Sequence, residues 1–274
     1  MRQVNVVEPH TFNLVFLVLT MGAYLGSGGL LLHRLFFQGQ GRGLRYGLAL
    51  GLGTLAVLLH GVMLSGAGLN VGFTNSVSLT CWTIAVILLA SSLNKPIENL
   101  GIVLFPLAAL ALFLAWQFPH VRLMVDAASW GLKFHVLVSM LSYSLLTLAS
   151  VQAILLAIQD QHLHSRHPGG FVRGLPPLQT MEALLFELIA VGFVLLSLSL
   201  MSGFVFLENM FAQHLAHKTV LSVTGWMVFG ILLWGRFRHG WRGRTALIWT
   251  LSGFGILMLG YFGSKAVLEL VLKR

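Results

Sequence analysis

The segment that defines the fold is residues 180–207, which read TMEALLFELIAVGFVLLSLSLMSGFVFL. The run is predominantly apolar and longer than the roughly 20 residues that a helix needs to cross a bilayer. Similar runs fill most of the 274 residues, at 12–33, 44–64, 75–92, 99–116, 130–158, 217–235 and 245–271. We therefore expect an all-α fold, a polytopic membrane helical bundle with about eight transmembrane helices.

The composition excludes a large water-exposed surface. Hydrophobic residues make up 57% of the chain and charged residues only 9%, whereas a soluble domain carries about 25% charged residues. Lipid must replace water around most of the protein, so we expect a single membrane domain over 1–274. The basic residues that give the formal net charge of +9 lie in short loops, where their distribution indicates how the protein is oriented in the membrane. Membrane lipid is therefore an expected partner, and nucleic acid is not.

Lysine and arginine are unevenly divided between the two sets of loops, which predicts an orientation. The loops after the second, fourth and sixth runs, with the helix edges, hold Arg122, Lys133 and Lys218. The loops after the odd-numbered runs hold ten such residues: Arg34, Arg42, Arg45, Lys95, Arg166, Arg173, Arg236, Arg238, Arg242 and Arg244. The bias predicts that the odd loops are cytoplasmic and that both termini lie outside.

Several kinds of chemistry are not supported by the sequence. The one cysteine, Cys81, excludes an intramolecular disulfide, a CxxC thiol relay and a CxxCH haem-attachment site. We find no nucleophile with an adjacent base, no carboxylate pair at catalytic spacing and no HExxH motif. We therefore expect that the protein is not an enzyme, a c-type cytochrome or a thiol oxidoreductase.

Two histidines within the apolar runs are candidate ligands, because ionisable groups are costly in lipid. His60 precedes the end of the second run by about one turn, and His135 follows the start of the fifth by about one turn. With opposite helix directions, both lie roughly 6 Å below the outer surface at 1.5 Å per residue. Neutral imidazoles from two helices suit the axial positions of a haem iron. A structural role in packing is the alternative for each, and it is favoured for His60 taken alone.

Two weaker candidates lie near the same predicted surface. His217 shares a helix face with His214 and could bind the metal or contact a haem propionate, although a solvated loop is the simpler interpretation. Lys265 is four residues from Glu269, so it either pairs with that carboxylate or receives an anionic group.

The fifth run carries a polar stripe, with His135, Ser139, Ser142 and Tyr143 at helical spacing. We expect this face to point toward other helices. By contrast, Glu187 in the sixth run has no obvious partner in the sequence.

The segment Trp130-Gly-Leu-Lys-Phe-His135-Val-Leu-Val-Ser139-Met-Leu-Ser142-Tyr143 resembles the start of the conserved core of the cytochrome c assembly family, which includes CcsA and CcmC. The similarity covers about 75–272 and is strongest in the C-terminal half. It continues through Gly192-Phe193, Leu200-Met-Ser-Gly203, Lys218-Thr219, Trp226, Gly240-Trp241-Arg242-Gly243-Arg244, Gly253-Phe254 and Tyr261-Phe262-Gly263. The segments Leu175-Pro-Pro-Leu-Gln-Thr-Met-Glu182 and Leu233-Trp-Gly235 resemble most closely the bacterial YpjD-like inner-membrane branch.

This resemblance implies a multi-pass protein of the bacterial inner membrane with a haem site at the outer face. The loop charges then place both termini in the periplasm. The resemblance also implies that His135 corresponds to the first external histidine of the family. The tryptophan-rich WxWD loop of the family is missing from 206–218, and Trp234 replaces a histidine. The second external histidine is absent from 267–274. We therefore expect a haem-binding, haem-handling protein without synthase activity.

Two other functions remain open on the sequence. The protein could be an accessory or regulatory subunit of another inner-membrane protein, such as a transporter, that keeps the fold without haem. It could instead be a transporter itself, for which Glu187 is the best buried charge.

Overall fold

A computed structural model describes residues 14–37, 43–66, 72–118, 130–164, 172, 174–206 and 216–263. Within these ranges the chain is helical and has no strand, which confirms the all-α membrane bundle. The α-helices are α1 (Leu14–Phe37), α2 (Leu44–Gly66), α3 (Phe73–Ser92), α4 (Gly101–Gln117), α5 (Trp130–His164), α6 (Leu178–Phe206), α7 (Ala216–His239) and α8 (Gly243–Met258). A 3-10 turn, Glu98–Leu100, precedes α4, and a π-helical turn, Leu259–Gly263, follows α8.

Seven of these helices are long and apolar enough to cross a membrane. The eighth, α8, has 16 residues. Large apolar side chains are exposed along the outside of the bundle, as at Val18, Leu58, Val194 and Met227. Helices satisfy their own backbone hydrogen bonds, which is why they can carry such a surface into hydrocarbon. The chain is thus a multi-pass membrane protein.

The helices pack as two groups joined through α3 and α5. In the first group α1 contacts α2 and α4, and α3 contacts α2 and α4. In the second, α5 packs along α6 and α8, and α7 contacts α6 and α8. Antiparallel neighbours place the starts of α5 and α7 beside the ends of α6 and α8, and this end of the bundle carries the site described below.

The opposite end of the bundle carries ion pairs between helices. Arg34, at the end of α1, lies 3.0 Å from Glu98, and the two side chains are only 6% and 9% exposed. The Arg34 guanidinium also lies 4.7 Å from the centre of the Tyr46 ring. Near the end of α7, Arg236 lies 2.6 Å from Glu182 of α6. The Arg34–Glu98 pair is the buried one, and loss of either partner would leave an uncompensated charge in the interior.

Glu187 also has a partner at this end. Its carboxylate pairs with Lys95, which lies 92 positions away in the chain and just beyond α3. Sequence inspection offered no partner for this residue, because nothing in hydropathy brings these two segments together. The hypothesis of a transporter rested on Glu187 as a charge without a partner, and the pair with Lys95 removes that argument.

Candidate functional site

A cavity of about 270 Å³ opens between α5, α6, α7 and the end of α8. It lies at the end of the bundle where α5 and α7 begin. Apolar walls come from Leu196, Leu200 and Leu257. The polar lining includes His135, Ser139, Ser142, Ser199, Lys218, Thr219, Ser222 and Thr80, the last of these from α3. The cavity therefore combines an imidazole, an ammonium group and several hydroxyls within apolar surroundings.

His135 has one ring nitrogen engaged with α6. Its Nδ1 lies 2.9 Å from the backbone oxygen of Ser199 and 3.1 Å from the hydroxyl of Ser202. A carbonyl oxygen can only accept a hydrogen bond, so Nδ1 must donate and carry the proton. In the neutral imidazole this leaves the lone pair on Nε2, which is the form that binds a metal. The Ser199 carbonyl therefore fixes the tautomer of His135 and leaves Nε2 as the basic nitrogen.

Further hydroxyls connect α5 to α6 at the same level. Ser139 donates to the carbonyl of His135 at 2.6 Å, and its oxygen is also 2.6 Å from the hydroxyl of Ser199. Ser142 donates to the carbonyl of Gly192 at 2.9 Å. Three members of the polar stripe predicted on α5, His135, Ser139 and Ser142, thus form hydrogen bonds with α6.

Aromatic side chains lie beside this polar set. The ring of Tyr143 is 5.6 Å from that of Phe254 and 6.0 Å from that of Tyr261, centre to centre. Both tyrosines line the cavity, and Lys218 is its cationic residue among the positions that the structure describes. The lining thus offers flat apolar surface and one positive charge.

His60 lies in a different environment, between α1, α2 and α3. It is fully buried. Its Nδ1 is 3.2 Å from the hydroxyl of Tyr24 and its Nε2 is 2.9 Å from the hydroxyl of Ser78. Both ring nitrogens are thus engaged in the core, and the cavity is lined by His135 and not by His60. The structure does not bring the two histidines to one cavity, so the axial pair stays a prediction.

The weaker candidates fall beyond what the structure describes. His217 is in the first turn of α7, but its side chain is outside the described part, and Lys265 lies entirely outside it. Over the described ranges no group of three histidine, cysteine or acidic side chains could hold a bare metal ion. A cavity with one imidazole suits an iron that is already held by a macrocycle.

Sequence inspection missed Ser199 and Ser202 as members of the site. They are three residues apart in an otherwise apolar part of α6, so they share a helix face. Polar groups inside a membrane helix are functional candidates in general, and this spacing was the signal available.

Fold and cavity together define a class: multi-pass membrane helical bundles with a histidine-bearing cavity near one membrane face. Comparison with known proteins gives the family. The sequence profile described as "Cytochrome C assembly protein" matches residues 46–272, so the chain belongs to the cytochrome c assembly protein family. This confirms the resemblance first seen in α5.

Relatives match over most of the chain. The inner membrane protein YpjD of Escherichia coli K12 is 32% identical over 265 residues, covering 94% of this chain and 99% of that protein. An uncharacterised 28.8 kDa protein of Azospirillum brasilense is 29% identical, covering 95% and 98%. The cytochrome c biogenesis protein CcsA of Prochlorococcus marinus MIT 9303 is 28% identical, covering 66% and 67%. No solved structure gives a significant match. The seven spans and the similarity to an inner membrane protein support a multi-pass location in the bacterial inner membrane.

Proposed function

We propose that this protein is a haem-handling protein of the bacterial inner membrane that binds haem through Nε2 of His135. The observation that supports this most directly is the hydrogen bond of His135 Nδ1 to the Ser199 carbonyl. That bond leaves Nε2 as the basic nitrogen, on a residue that lines the cavity. Family membership supports a haem-related role for the chain.

The chemistry of the cavity fits haem in three respects. Leu196, Leu200 and Leu257 provide apolar contact for a porphyrin, and Tyr143 and Tyr261 provide flat ring surface. Lys218 provides a positive charge for a propionate. The volume of about 270 Å³ lies below the roughly 300–1,000 Å³ of pockets that enclose whole drug-sized ligands. A cavity of this size would enclose only part of a haem.

Bound haem would supply an iron centre able to change redox state. The residues of the chain would hold it: His135 as the iron ligand, Ser199 as the acceptor that fixes the tautomer, and Lys218 as a positive charge for a propionate. His60 is assigned to the helix core, so His135 is the one ligand we propose from the described residues.

The proposed role stops short of attaching haem to another protein. The tryptophan-rich loop of the family is missing from 206–218, and the sequence offers no catalytic constellation. We therefore propose haem binding or transfer without synthase activity and without an enzymatic step. With both termini in the periplasm, as the loop charges predict, the cavity opens at the periplasmic side.

The test is the visible absorption spectrum of the protein purified in mild detergent from haem-replete cells. We expect a Soret band in the wild type, loss of that band in His135→Ala, and an unchanged band in His60→Ala. A band that survives in His135→Ala contradicts the ligand assignment. A haem-free wild type that copurifies with another membrane protein would favour the accessory-subunit alternative instead.

A further inference from the structure

We propose that Ser202 is a positioning residue for His135, which strengthens the iron ligand by accepting part of its Nδ1 hydrogen bond. This inference rests on the proposed function, because it assigns a role in the same site. It goes beyond that function by naming the residue that tunes how tightly haem is held and how readily its iron is reduced.

The first step is the direction of the hydrogen bonds around Ser202. Its hydroxyl donates to the Ser199 carbonyl at 2.8 Å. A serine hydroxyl has one proton and two lone pairs, so its proton is used in that bond. The lone pairs remain for His135 Nδ1 at 3.1 Å. The Nδ1 proton of His135 is therefore shared between two acceptors, the Ser199 carbonyl and the Ser202 hydroxyl.

The second step is burial. Ser202 is only 6% exposed and Ser199 only 5%. Hydrogen bonds in such surroundings are electrostatically stronger than in water. The polarisation of the imidazole by its acceptors is accordingly little weakened by solvent.

The third step is the effect on a metal. An imidazole whose second nitrogen donates a hydrogen bond is a more basic ligand, and removal of the acceptor typically costs about 10- to 100-fold in metal affinity. A less basic ligand donates less electron density to the oxidised iron. Loss of the Ser202 hydroxyl should therefore weaken haem binding and raise the reduction potential.

A purely structural role for Ser202 makes a different prediction. Serine often returns its hydroxyl to a carbonyl of its own helix, as Ser202 does toward Ser199. If that were its whole function, Ser202→Ala would affect helix stability alone. The reduction potential and the tautomer of His135 report on the imidazole itself, so they separate the two roles.

The experiment compares four proteins: wild type, Ser202→Ala, Ser202→Thr and Ser144→Ala. The threonine variant keeps the hydroxyl. Ser144 is buried on α5 and donates to the carbonyl of Met140 at 2.8 Å, outside the cavity lining, so its removal is a matched loss of one hydroxyl. Haem affinity and reduction potential are measured by titration in detergent. Because the Ser199 carbonyl remains as an acceptor, we expect Ser202→Ala to lose about 10-fold in affinity, the lower end of that range, and to shift to higher potential. The other two variants should stay near wild type.

A second readout uses haem-free protein labelled with ¹⁵N-histidine. The His135 signals are assigned by their absence in His135→Ala, and we expect the proton on Nδ1. A proton on Nε2 overturns the inference whether or not haem binds. Equal affinity and potential in wild type and Ser202→Ala overturn it while leaving the proposed function intact. A wild type that binds no haem overturns the proposed function, and the role of Ser202 fails with it, even if Nδ1 is protonated.

Discussion

At the scale of single residues, His135 and His60 differ in how many ring nitrogens their surroundings occupy. His135 uses Nδ1 toward α6, and the residue lines a cavity. His60 uses both, toward Tyr24 and Ser78. The two residues have the same chemistry, so the neighbouring hydroxyls and carbonyls are what distinguish the proposed ligand from the core histidine.

This difference makes a prediction about His60. His60→Ala leaves two buried hydroxyls without that partner, which costs about 1–3 kcal/mol for each group left unsatisfied. We expect a lower thermal midpoint in detergent, whereas the spectrum of bound haem stays as in the wild type.

The matched variant is His60→Gln, whose amide can both donate and accept, and we expect it to recover part of the stability. If His60→Ala kept its thermal midpoint but lost the Soret band, His60 would be an axial ligand and the assignment to the core would be wrong.

At the scale of elements, the contact between α5 and α6 positions the site. Gly192 of α6 lies against Leu146 of α5, and a Cβ on that glycine would be 2.8 Å from the nearest Leu146 carbon. Leu146 is fully buried and cannot move aside freely. The close approach brings the carbonyl of Gly192 within reach of Ser142, and Ser199 within reach of His135 further along the same helix.

A larger residue at Gly192 should force the two helices apart. We expect Gly192→Val to destabilise the fold by about 1–3 kcal/mol through overpacking, measured as a lower thermal midpoint. Gly51→Val is the control, because a Cβ at Gly51 has no neighbouring atom within 4 Å. Equal midpoints in these two variants would show that the approach of α5 to α6 is not tight.

The membrane spans could be predicted from the sequence, whereas the packing of one helix against another could not. Hydropathy predicted the spans because lipid selects apolar residues over a fixed length. The same runs predicted a shared depth for His60 and His135. Depth is only one coordinate, however, and the identity of neighbouring helices is not encoded in hydropathy. That is why the sequence suggested the two histidines as a pair, whereas the structure places His60 beside α1 and α3.

The residues around His135 were only partly visible in advance. The stripe on α5 could be identified because its polar members share one helical face. Ser199 was missed because it contacts His135 through its backbone carbonyl. Every residue has such a group, so no sequence pattern identifies it. The partner of Glu187 was hidden for a related reason, since Lys95 belongs to a distant segment.

At the scale of the whole molecule, the described ion pairs and the cavity occupy opposite ends of the bundle. The pairs of Arg34, Lys95 and Arg236 close the end predicted to be cytoplasmic. The cavity opens at the other end, between helices linked by hydroxyls and apolar contacts. The described charges that are paired across helices are thus separated from the cavity by the length of the bundle.

The ion pairs should contribute unequally to stability. Arg34→Met leaves Glu98 buried without its partner, which costs about 3–5 kcal/mol. Lys95→Met removes a pair whose side chains are 38% and 51% exposed, and exposed pairs contribute about 1 kcal/mol or less. We expect a large fall in thermal midpoint for Arg34→Met and a small one for Lys95→Met. The reverse order would contradict the assignment of the Arg34–Glu98 pair to the interior.

The most direct test of the account asks whether the imidazole of His135 is the group that binds the iron. In His135→Gly the ring is replaced by space that free imidazole can fill. We predict that this variant, supplied with haem in detergent, lacks the Soret band of the wild type and regains it when imidazole is added. A wild-type spectrum in His135→Gly without added imidazole would contradict the account.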